Sequence, residues 1–83
     1  MKLNFHSWLK STIGHDSEEL NLPNEVKTVG DLATHLAARH ESAASIFEIP
    51  EALRYVIDRR YVTPDHELGD AVSVDIYPPV TGG

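Results

Sequence analysis

The sequence predicts an α+β domain, on three observations. Short stretches near both ends of the chain alternate apolar and polar residues, the period of a half-buried strand. Between them, Val29, Leu32, Ala33, Leu36 and Ala37 recur at helical spacing and form one apolar stripe. The whole chain is 83 residues, the size of a single domain, with no repeat or linker dividing it. Two strands, one main helix and three further strands form a mixed sheet. The helical stripe covers one face of that sheet.

Each element has a local reason. Leu3 and Phe5 share one face of the first strand, with Asn4 and His6 on the other. Ser7 is placed to cap a short helix carrying Trp8, Leu9, Thr12 and Ile13, and Gly14 suits its left-handed end. Trp8 is read as core, or as a staple beneath that helix. His15-Asp16-Ser17 is a turn. Leu20 and Leu22 alternate with Glu19 and Asn21 as a second strand, stopped at Pro23. Thr28 caps the main helix, with Asp31 in its first turn and Arg39 and His40 at its negative end. Ser42 to Phe47 is read as a single helical turn. Leu53, Tyr55 and Ile57 mark an inner strand, Asp58-Arg59-Arg60 a turn, and Tyr61-Val62-Thr63 a short strand ended by Pro64. Gly69-Asp70 is a turn. Ala71 to Tyr77 then alternates, with Val72, Val74 and Ile76 inward and Ser73, Asp75 and Tyr77 outward.

Composition narrows the function classes. Thirteen acids stand against seven Lys and Arg, a net charge of −6. That balance argues against nucleic acid as a partner, because phosphate binding needs clustered bases. No stretch approaches the ~20 apolar residues of a membrane helix, and no signal-peptide pattern follows Met1. The absence of cysteine excludes disulfide frameworks and thiolate chemistry, and fits a reducing cytoplasm.

The chain is read as a domain over residues 1–77 and an extended tail over 78–83. That tail is Pro78-Pro79-Val80-Thr81-Gly82-Gly83. Adjacent prolines favour extended geometry, so the last strand projects away from the sheet. Six residues at ~3.3 Å each span about 20 Å. A terminal diglycine arises by chance in about 1 of 200 chains. Such an end suits delivery, because a narrow tunnel admits backbone without side chains. The Gly83 carboxylate, once activated as an acyl-adenylate, is open to attack by a sulfur nucleophile.

The ending P-P-V-T-G-G after a hydrophobic strand resembles the small sulfur-carrier subunits of molybdopterin synthase, the MoaD type of ubiquitin-like sulfur carriers. Phe5, Trp8-Leu9-Lys10 and Ile13-Gly14 are similar to that family's first strand, short helix and glycine. Thr28-Val29-Gly30-Asp31-Leu32 is similar to its helix entry, and Ile57-Asp58-Arg59, Val62 and Asp65-His66 to its middle strand and following turn. The resemblance implies a β-grasp fold with a free extended tail. It implies adenylation of Gly83 by an E1-like enzyme and thiocarboxylation from a persulfide donor. It also implies docking on the large catalytic subunit of molybdopterin synthase in a heterotetramer. Pro78, Pro79, Val80, Thr81 and Gly82 would thread into that partner, where sulfur passes to cyclic pyranopterin monophosphate. The chain is then not catalytic alone, and its only special group is a C-terminal thioglycine or glycyl adenylate, with no bound cofactor. A sulfur carrier for thiamine or cysteine synthesis, a protein modifier and an inert binding module are the alternatives.

Other residues carry less. Tyr61 and Tyr77 fall on strands near the tail and suit an interface on an uncovered sheet face. His6, His15, His35, His40 and His66 are read as surface residues and no metal is expected. His35 and His40 are five apart, a spacing that does not bring two ligands to one helix face.

Overall fold

The computed structural model describes residues 1–79. The tail positions Val80, Thr81, Gly82 and Gly83 lie outside the described residues. The elements are β1 (Lys2–Phe5), α1 (Trp8–Ile13), β2 (Ser17–Glu19), α2 (Val29–Arg39), α3 (Ala44–Phe47), β3 (Arg54–Ile57), β4 (Arg60–Val62) and β5 (Ser73–Tyr77). Single 3₁₀ turns, Glu41–Ala43 and Pro50–Ala52, flank α3.

The five strands form one sheet in the order β2-β1-β5-β3-β4. Its centre is the parallel pair β1–β5, with Phe5 opposite Ile76; the other pairs are antiparallel. Cross-strand partners share a face. Leu3, Phe5, Tyr55, Ile57, Val74 and Ile76 therefore line the same side, and all are buried. Val29, Leu32, Ala33 and Leu36 of α2 close over them, as the helical spacing requires. Leu9, Leu20, Phe47, Leu53 and Leu68 complete this core.

α2 starts on a full capping box. The Asp31 amide donates to Thr28 Oγ1 at 3.1 Å, and the amides of Lys27 and Thr28 donate to Asp31 Oδ2 at 3.1 Å each. The shorter Asp side chain thus performs the reciprocal role usual for Glu or Gln. The bond from the Lys27 amide, then that from Thr28, holds the Asp31 carboxyl below the usual carboxylate range. A lowered folded-state pKa stabilises above the ordinary Asp pKa, and the effect is lost as pH falls through the lowered value. Thr28→Ala is expected to cost about 1 kcal/mol in urea unfolding near neutral pH. Asp31→Asn is expected to lose less stability than the parent chain on acidification, measured in the same way.

Four local expectations are corrected. The second strand runs Ser17–Glu19, ahead of the Leu20 and Leu22 alternation, and so takes in part of the expected turn. Leu20 is buried just beyond the strand, its amide donating to the Met1 carbonyl at 2.9 Å. Ser7 precedes α1 but makes no side-chain capping bond, because its φ of 57° directs the chain into a sharp turn. Trp8 is 40% exposed; Leu9 is the residue α1 buries. Val72 is 79% exposed: it precedes β5, and although its carbonyl accepts from the Lys2 amide, its side chain stays outside the core. The remaining turns follow the sequence. Gly14 ends α1 at φ 104°, and the Asp58-Arg59 pair, both at positive φ, forms the two-residue hairpin between β3 and β4.

Candidate functional site

The face of the sheet away from α2 is open, and its alternation sets what it presents. Arg54 pairs with Tyr77, and Val56 stands between Tyr61 and Asp75. At the end of β5 these side chains meet the segment before α1. Ser7, Trp8, Arg54, Tyr61, Tyr77, Pro78 and Pro79 line a groove of about 380 Å³. Tyr61, Tyr77 and Trp8 are exposed, Tyr61 by 75%. Pro78 is buried and Pro79 half-buried, so the chain leaves β5 along the groove.

Tyr77 is held in place by a neighbour that sequence reading treated as plain surface. The His6 ring stacks on the Tyr77 ring at 4.2 Å with an interplanar angle of 8°. His6 Nε2 lies 2.9 Å from Asp75 Oδ1. Asp75 and Tyr77 alternate on one strand face, and His6 continues the outer face of β1 beside them. The bond to Asp75 orients the imidazole, and the imidazole fixes the phenol ring. Only the placement of His6 on the outward face of the first strand hinted at this.

Tyr61 and Tyr77 are thus brought together at the root of the tail. Arg54 and Trp8, which line the same groove, were missed. Arg54 was not singled out on its strand, and Trp8 was read as core or as a staple beneath α1. The groove offers aromatic faces, proline rings and one guanidinium. Tyr, Trp and Arg are the residue types enriched at protein interfaces, and among the described residues the groove holds no paired acid and base.

The sequence model of the ThiS family matches residues 3–83. The chain belongs to that family. This ThiS-family chain is 31% identical to the molybdopterin synthase sulfur carrier subunit of Escherichia coli strain K12, over 100% of its own length and 99% of the relative's. A solved structure described as a putative molybdopterin converting factor, subunit 1, from Pyrococcus furiosus superposes with a TM-score of 0.73 at 28% identity, over 95% of each chain. The small archaeal modifier protein 1 of Haloferax volcanii shares the fold, with a TM-score of 0.76 at 15% identity over 95% of each chain. The mixed sheet with one main helix on one face is therefore the ubiquitin-like β-grasp fold expected from the sequence. Among the described residues, no helix is long and apolar enough to cross a membrane.

Proposed function

We propose that this protein is the sulfur-carrying subunit of a molybdopterin synthase and works in the cytoplasm. The observation that carries the reading is the full-length similarity to the Escherichia coli sulfur carrier subunit. The family match running through the terminal diglycine supports it. In this reading, residues 1–77 are the carrier body and 78–83 the delivery tail. An E1-like enzyme converts the Gly83 carboxylate to an acyl-adenylate with release of pyrophosphate. The terminal sulfur of a persulfide donor then displaces AMP to give an acyl disulfide, and a second thiol cleaves its S–S bond, leaving the thiocarboxylate on Gly83 and a disulfide on the donor. The chain supplies reach and an acyl group, and its partners supply the catalysis. On the large subunit, Pro78 to Gly82 enter the active site and the sulfur passes to cyclic pyranopterin monophosphate.

The exposed aromatic groove is the docking patch of this reading. Tyr61→Ala is expected to weaken binding of the large subunit by about 2 kcal/mol, the size of an interface anchor. Its unfolding midpoint should stay unchanged, because Tyr61 is exposed. Equal affinity of parent and variant in calorimetric titration would place the interface elsewhere.

The function itself is tested by intact mass. The chain is incubated with ATP, an E1-like enzyme and a persulfide donor, and oxygen-for-sulfur replacement at the C-terminus is the expected result. The charged carrier is then offered the large subunit with cyclic pyranopterin monophosphate, thiamine or cysteine pathway acceptors, and protein amines. Conversion to molybdopterin alone supports the proposal. Turnover only with another acceptor replaces it by that carrier or modifier role, and the absence of any charging leaves a binding module.

A further inference from the structure

Away from the groove, the fold assembles a side-chain cluster that no single segment of sequence reveals. Glu18 sits in the middle of β2, opposite the buried Leu3 of β1, so its side chain lies on the core face of the sheet. That side chain is only 9% exposed. A carboxylate in such a place needs compensating partners. His40, at the C-terminal cap of α2, places Nε2 2.6 Å from Glu18 Oε1. His15, just after Gly14, places Nε2 3.4 Å from Glu18 Oε2. The Phe5 ring packs in T-shaped fashion against both imidazoles, with centroids 6.0 Å and 5.9 Å away. One ligand atom from each of the three residues lies within 4.8 Å of the others.

We propose that His15, Glu18 and His40 form a zinc site that ties the α1–β2 segment to the end of α2. Two imidazole nitrogens and one carboxylate oxygen are a recurrent zinc donor set, with solvent completing the tetrahedron. At zinc bond lengths of about 2.1 Å, tetrahedral donors stand about 3.4 Å apart. The His15–Glu18 separation of 3.4 Å already has that value. The His40–Glu18 pair, at 2.6 Å, has to open by about 0.8 Å. Both rings turn Nε2 toward the same carboxylate, the arrangement in which a cation between them joins all three donors. Arg39 also reaches Glu18, with Nε at 3.2 Å, but its side chain is 47% exposed and free to swing into solvent as the ion enters. The ion would cross-link the His15–Glu18 segment to His40, 22 residues further along the chain from Glu18, and so stabilise the folded state increasingly as its concentration rises.

The test is calorimetric titration of the untagged full chain with zinc, paired with thermal unfolding with and without the ion. Saturable binding of one zinc per chain and a raised midpoint, reversed by chelator, are expected. Cobalt substitution should give the visible absorption of a tetrahedral site. His15→Gln is the decisive variant, since His15 is half exposed and its loss should leave the fold intact. It should weaken zinc binding about tenfold or more. His35→Gln and His66→Gln should bind as the parent chain does. No saturable binding overturns the proposal, as does equal affinity in His15→Gln and the parent, or loss of binding in His35→Gln or His66→Gln instead.

Discussion

Removing Gly83 is expected to abolish sulfur transfer while leaving the domain folded. The shortened chain still ends in glycine, so it tests reach separately from chemistry. Its last carbonyl falls short of the parent position by about 3.5 Å, one extended residue. Misplacement of reacting atoms by only 1 Å costs on the order of 10²-fold in rate. The intact-mass assay with the activating enzyme should show no oxygen-for-sulfur exchange. Gly82→Val keeps the length and adds bulk, and should lower the rate of sulfur transfer by about 10² or more if the tail is threaded. The hydrophobic core ends at Ile76 and Pro78 is the last buried position described, so urea unfolding should be unchanged in both variants. Normal turnover by Gly82→Val would contradict threading.

Phe47→Ala should produce the largest loss of stability. Phe47 is fully buried on the single turn of α3, packed in the core that α2 covers. Truncating a buried Phe to Ala costs about 3–5 kcal/mol. Domains hold only about 5–15 kcal/mol in total, and small ones sit low in that range. The urea midpoint should fall steeply with little change in slope. A loss below about 1 kcal/mol would show that α3 packs loosely and that the core closes without it.

Much of this fold was readable because the sequence repeats one pattern per element. Leu3 and Phe5, Tyr55 and Ile57, and Val74 and Ile76 alternate cleanly, and the α2 stripe is uninterrupted. Reading failed where burial and secondary structure part company. β2 is an edge strand of one serine and two glutamates, and its one inward side chain is the charged Glu18, so its alternation shows no hydrophobic signal. Leu20, which has that signal, lies just outside the strand. Val72 has the parity of a core residue but precedes β5 and is exposed. At the groove, the tyrosines were readable as aromatics on an open face. The stacking of His6 on Tyr77 was not, because it depends on β1 and β5 being neighbours. The His15–Glu18–His40 cluster was hidden because it depends on the end of α2 lying beside β2. Ligand spacing was sought along α2, whereas the fold draws its members from a turn, a strand and a helix end.

The parallel pairing of β1 with β5 also decides how the molecule bears load. The chain enters through β1 and leaves through β5, and the two strands run the same way, with Lys2 opposite Ser73 and Phe5 opposite Ile76. Tension applied between Met1 and the tail therefore slides the strands along one another. The whole ladder, including the bonds from Lys2 to the Val72 carbonyl and from His6 to the Ile76 carbonyl, resists at once. An antiparallel hairpin pulled at its open end would unzip bond by bond. A pull on the end of β5 with the chain held at Met1 therefore loads the β1–β5 pair in shear, the geometry in which the hydrogen bonds share the force.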